Sequence, residues 1–208
     1  MGILSFISNL FGSQTAGNVN DIPTGKKDVN EAVIRGFRDP DPLIRAISVE
    51  VAGKLKDRYL LPELLKALKD PLHLIRQKAA ESLGHINERK SVNALIEALD
   101  DASEEVRVTV AGVLGMMKDK VAVPALITAL NDTSYLTRMK SAVALGFIGD
   151  TQAIPALARS LKDENELVRK YACYALGNLG RKSVPYLLEA LKNEKMRDVV
   201  SEALMKIK

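Results

Sequence analysis

An arginine recurs every 31 residues, at Arg45, Arg76, Arg107, Arg138 and Arg169. An aspartate keeps the same step at Asp39, Asp70, Asp101, Asp132 and Asp163, and a glycine at Gly53, Gly84, Gly115, Gly146 and Gly177. Three ladders in one register make the chain an array of one repeated unit. A period of roughly 20–50 residues is that of a solenoid or propeller. In such an array each unit buries its apolar face only against its neighbours. Ala and Leu dominate, Trp is absent and aromatics make up 4% of the chain, which favours helix over strand.

The unit reads as two helices. Pro124 opens the first of one repeat, at a first-turn position where a missing N–H costs nothing. Pro62, Pro155 and Pro185 do the same elsewhere, and Asn93 stands in the fifth case. Leu126, Ile127 and Leu130 form its apolar stripe, and the polar run from Asn131 to Ser134 breaks it. A second helix is expected from about Tyr135 to Ile148, with Ala142, Leu145 and Ile148 inward. Gly149 suits a left-handed residue at its end, and Asn87 and Gly180 match it. The first repeat is expected to start near Asp28, where Glu31 completes a capping-box-like pattern. The last repeat, from Pro185, has a shortened inter-helix turn and Arg197 at the ladder position.

The pattern is clearest in PALITALNDTSYLTRMKSAVALGFIGD and PALARSLKDENELVRKYACYALGNLG. It resembles HEAT-like repeats of the phycobilisome-lyase type, over about residues 28–208. The resemblance implies an all-α, right-handed α-solenoid (an α-α superhelix) of about six helix-turn-helix repeats, the last one short. It also implies first helices on the convex side and second helices lining the concave side. It does not imply lyase activity, because the repeat family is far wider than that enzyme.

The ladders read as scaffold. A residue that performs chemistry is needed once, not in every repeat. An arginine with five donors can bind both the aspartate and the carbonyls of a helix end. The glycines fit a close approach of second helices, at about 1 kcal/mol of helix propensity each. Cys173 falls in a small inward slot held elsewhere by Val49, Ala80, Ala111 and Ala142, so a buried, inert thiol is expected.

Function is then sought where the repeats disagree. Counting from the ladder arginine, offsets +3, +4, +7 and +10 are small or apolar, while +1, +2, +5 and +9 vary and share the opposite stripe. The second repeat carries Gln77, Lys78, Glu81 and His85 there, a solvated face. The third to fifth carry Val108, Met116, Met139, Val143, Phe147, Tyr171 and Tyr174, with Lys140 and Lys170 as a polar rim. These nine residues form the candidate partner-binding surface on the concave face. The competing reading packs them against adjacent second helices.

Residues 1–27 stand apart from the array. Ile3, Leu4, Ile7, Leu10 and Phe11 fall on one side of a helix with Phe6 beside them, followed by a polar linker. Three readings stay open: contact with a membrane surface, docking on a partner, or capping of the first repeat. No secretory signal is expected, since the start lacks a basic region, and Phe6 breaks the myristoylation pattern that Gly2 suggests.

No catalytic constellation is found, and no cofactor or metal site is expected. His73, read as lying in an inter-helix turn, and His85, at an exposed offset, are the two histidines, and Cys173 the one cysteine, too few for a conventional zinc site. Neither histidine has a neighbouring Glu, so the paired His-Glu motifs of deoxyhypusine hydroxylase, another HEAT-like enzyme, are missing. The net charge of +4 is mild and evenly spread, which argues against nucleic acid. The expectation is a non-enzymatic, cytoplasmic protein-interaction scaffold or adaptor with a protein partner. A subunit of a bilin-lyase-like enzyme and a peripheral membrane adaptor anchored by the N-terminal helix are the alternatives.

Overall fold

The computed structural model describes residues 25–207. The expected N-terminal helix and most of its linker lie outside them. Helices are the regular structure of the described residues, which form two compact units divided after Glu88.

The first unit contains α1 (Lys26–Gly36), α2 (Pro42–Leu55), α3 (Leu61–Ala67) and α4 (His73–Ile86). The second contains α5 (Val92–Glu97), α6 (Glu104–Met117), α7 (Val123–Ala129), α8 (Tyr135–Ile148), α9 (Ile154–Ser160), α10 (Glu166–Asn178), α11 (Val184–Ala190) and α12 (Arg197–Met205). Each repeat pairs a first helix with a second, and α8 has the bounds its sequence implies. The first helices α3, α7, α9 and α11 are seven residues long, each with proline in its opening turn behind a three-residue 3-10 turn. Most second helices start at a polar cap: Asp41, Ser103, Ser134 and Asn165 each accept a backbone N–H.

Three local expectations are corrected. Helix α1 begins at Lys26 behind an extended Gly25, so Asp28 stands within its first turn and caps nothing. His73 is the first residue of α4 rather than a turn residue. Gly180 has positive φ (78°), but with ψ of −155° it is not a left-handed cap, and Leu179 ends α10 in helical geometry. The left-handed cap itself is real at Lys56, Asn87, Lys118 and Gly149, again 31 residues apart.

The core is a set of columns. Leu64 in the first unit, and Leu95, Leu126, Leu157 and Leu187 in the second, are fully buried on the first helices. Leu83, and Leu114, Leu145 and Leu176, are fully buried on the second helices. Each such leucine contributes about 2 kcal/mol of burial. The array is therefore held by repetition of one modest contact set.

Within each unit the ladder arginines Arg45, Arg107 and Arg138 join one repeat to the next. Arg107 Nη1 donates to the carbonyls of Asp101 (2.8 Å) and Ala102 (3.3 Å), which closes its own turn. Its Nε and Nη2 donate to Asp132 of the following repeat at 2.8 and 3.0 Å. Arg138 repeats this with Asp163, at 2.8 and 3.0 Å, and Arg45 with Asp70, at 2.9 and 3.4 Å. Each of these aspartates also accepts the amide two residues ahead: Asp132 from Ser134, Asp163 from Asn165 and Asp70 from Leu72. One guanidinium and one carboxylate thus fix two turns and the step between them. This arrangement is structural, with no group left over for chemistry.

A second, looser ladder escaped the sequence reading. Arg58 pairs with Glu88, Arg89 with Asp119 (2.9 Å) and Lys120 with Asp150 (3.7 Å) across the opposite turns. Its acids also step by 31 residues, so the periodicity was there to find. The basic partners are almost wholly exposed, so these pairs add little stability.

Candidate functional site

The glycine ladder sets how close the second helices lie. A Cβ on Gly115 of α6 would stand 2.7 Å from Ala144 Cα of α8, and one on Gly146 would stand 2.9 Å from Ala175 Cα of α10. Only glycine permits that approach. It brings equivalent side chains of neighbouring second helices to the spacing of packed helices, about 8–10 Å.

All nine candidate residues lie on α6, α8 and α10 of the second unit, and none is buried. Met116, at 61%, and Phe147, at 53%, are the most exposed of the apolar ones, and Lys140 is exposed beside them. Val108, Met139, Val143, Lys170, Tyr171 and Tyr174 are half-buried. The stripe is therefore partly packed between helices, as the competing reading expects, and partly open to solvent. Offset +6, not singled out from the sequence, is also inward: Val113, Ala144 and Ala175 are buried there.

Comparison between repeats separates recurring positions from varying ones. Leu43, Leu74 and Leu167 are exposed too, but they recur two residues before the ladder arginine and belong to the repeat itself. Met116 and Phe147 share the slot nine residues after it, where Lys54, His85 and Asn178 stand in other repeats. Apolar side chains are confined to the third and fourth repeats at that slot. Gly112, at the open offset +5, has nothing within 4 Å of where a Cβ would be, which leaves room beside them.

Tyr174 is held rather than free. Its hydroxyl donates to Glu202 of α12 at 2.7 Å, and Nζ of Lys206, the residue just after α12, lies 4.8 Å from its ring centroid. Lys170 Nζ lies 5.9 Å from the same centroid, and Tyr171 meets the ring edge-on at 6.2 Å. Acceptance by Glu202 pushes the Tyr174 phenol above its ordinary pKa. Sequence position could not show a tie to a residue 28 places ahead. The aromatic end of the stripe is thus a polar-bound rim, and the open apolar centre is Met116 and Phe147.

Cys173 is fully buried, with Sγ 3.6 Å from the Val199 carbonyl, and burial pushes its pKa up to about 12. Among the described residues no group of His, Cys, Asp and Glu could hold a metal ion, and no helix is long and apolar enough to cross a membrane.

The model for HEAT repeats matches residues 30–107 and 92–167, and a HEAT repeat model matches residues 153–183. The chain belongs to the HEAT-repeat family. Among solved structures it is similar to a chain of the complex of CpcE and CpcF of phycocyanin lyase from Nostoc sp., at 28% identity and a TM-score of 0.67, covering 90% of this chain and 81% of that one. It is also similar to YibA of E. coli, at 20% identity and a TM-score of 0.65 over 100% and 92% of the two chains. A designed armadillo repeat protein in complex with the peptide (KR)4 matches at 18% identity and 0.63 over 86% and 99%. The last two likenesses show the fold alone. No curated protein matches significantly. The fold class is all-α, helix-pair repeats of the HEAT and armadillo type.

Proposed function

We propose that this HEAT-repeat protein is a non-enzymatic scaffold that binds a protein partner through the second-helix face of its third to fifth repeats. One observation carries the reading. Met116 and Phe147 expose large apolar side chains in adjacent repeats, at a slot that is polar in the first, second and fifth. Exposed apolar groups with a charged rim mark interaction surfaces, and methionine suits one that adapts to its partner. Val108, Met139, Val143, Tyr171 and Tyr174 extend the surface, with Lys140 and Lys170 at its edge. Affinity capture from native extract, comparing wild type with a Met116→Asp/Phe147→Asp variant, tests it. A partner held by the wild type and lost by the folded variant supports the reading. Equal capture by both counts against it.

A second reading is a subunit of a bilin-lyase-like enzyme, favoured by the 28% identity with a chain of the CpcE and CpcF complex. Mixing the protein with a bilin, alone and with a second HEAT-like subunit, tests this by the shift in bilin absorbance. Contact with a membrane surface through Ile3, Leu4, Phe6, Ile7, Leu10 and Phe11 remains a proposal about residues outside those described. Because α1 begins at Lys26, the truncation that tests it removes residues 1–24 and is read by liposome sedimentation and thermal stability. The lone buried thiol fits the proposed cytoplasmic location.

A further inference from the structure

The arginine ladder has one open end. Arg169 Nη1 donates to the carbonyls of Asp163 (2.7 Å) and Glu164 (2.9 Å), as its sisters do in their own turns. Its Nε edge meets no carboxylate among the described residues, whereas the same edge of Arg107 and Arg138 holds an aspartate. The reason lies in the shortened last repeat. Asp163 donates its amide to the Ser160 carbonyl (3.1 Å) and accepts the Asn165 amide on its side chain (2.8 Å). Asn193 makes the same two bonds, to Ala190 (3.1 Å) and from Lys195 (3.1 Å). A neutral amide therefore occupies the ladder place of the carboxylate.

Asn193 also lines a groove of about 630 Å³ between α9 and α11, within the size range of ligand sites. Its walls include Pro155, Ala158 and Tyr186, the last 42% exposed, and the cations Arg159 and Lys162. Among the described residues neither cation has an ion-pair partner. The one acid lining the groove, Glu189, is paired with Lys192 at 2.6 Å. The groove thus joins an apolar floor to unpaired positive charge, on the side of the first helices.

We infer that this groove docks an acidic peptide segment, an apolar side chain seated on Pro155, Ala158 and Tyr186 and a carboxylate received by Arg159 and Lys162. Guanidinium favours carboxylate for its planar, two-pronged geometry, and this chain uses that pairing in the sister repeats. The surface is separate from the second-helix face, so its test is independent of the proposed scaffold function.

Fluorescence anisotropy of a labelled peptide of four Glu-Leu repeats, titrated with the full chain at low salt, is the test. A peptide of four Lys-Leu repeats is the control. Wild type should bind the acidic peptide and not the basic one. Arg159→Glu/Lys162→Glu should weaken binding at least tenfold. Asn193→Asp, which adds a negative charge to the groove's own lining, should weaken it similarly. Met116→Asp/Phe147→Asp should leave it unchanged. No binding of the acidic peptide by wild type up to about 1 mM overturns the inference. So does unchanged affinity in either groove variant, or loss of binding in the Met116/Phe147 variant.

Discussion

Arg107 and Asp132, 25 residues apart, form a two-pronged ion pair across the step between the third and fourth repeats. Both side chains are mostly shielded, at 14% and 12% exposure. Arg107 also closes its own turn through two carbonyls, so truncating it strands a carboxylate and opens that turn. Arg107→Ala should lower unfolding free energy by about 2–3 kcal/mol, measured by chemical denaturation. The second-helix face should still bind its partner.

The same pair sets an acid limit on stability. Burial opposes ionisation of Asp132, but the Arg107 guanidinium and the Ser134 amide outweigh it and hold the carboxyl below its ordinary range. Asp163 is lowered in the same way, against burial, by Arg138 and the Asn165 amide. A carboxyl depressed in the folded state contributes stability above its unfolded pKa of about 3.9, and loses it as pH falls through the folded value. The denaturation midpoint should therefore fall as pH drops below about 4. Asp132→Asn should be less stable at neutral pH and show a shallower fall, read from denaturation curves across that range.

Two glycines of one helix should respond with opposite sign. Replacing glycine by alanine in a helix gains up to about 1 kcal/mol of propensity. At Gly115 the new Cβ would meet Ala144 Cα at 2.7 Å, and forcing helices apart costs about 1–3 kcal/mol. Gly115→Ala should therefore destabilise. At Gly112 nothing lies within 4 Å, so Gly112→Ala should stabilise by about 0.5–1 kcal/mol. Thermal melts of the two variants decide it.

Cys173 should be silent in the native state. Its burial, and a pKa pushed up to about 12, leave almost no thiolate at pH 8. A disulfide reagent should titrate one thiol after denaturation and none on the same timescale before it.

The scaffold was legible in the sequence because each repeat states the same constraints again. Tyr135–Ile148 could be bounded from Ser134 and Gly149, and the glycine ladder announced close helices. Single local cues misled. Asp28 and Glu31 look like a capping box, yet the helix starts at Lys26 without a side-chain cap. The candidate site is a matter of which varying slots stay open, and that depends on contacts between repeats. Tyr174 and Phe147 occupy comparable varying slots, but a bond to Glu202 ties one down while the other stays open. The open edge of Arg169 follows from a shortened turn that puts Asn193, 24 residues later, in the place of the carboxylate.

The proposed scaffold role rests on Met116 and Phe147 as anchors for a protein partner. The direct measurement is the partner's dissociation constant for wild type, Phe147→Ala and Leu188→Ala, the last an exposed leucine on α11 outside the proposed face. Phe147→Ala should weaken binding by about 30-fold, the effect of losing an interface anchor of about 2 kcal/mol, with Leu188→Ala unchanged. Wild-type affinity in a folded Phe147→Ala protein would contradict the account.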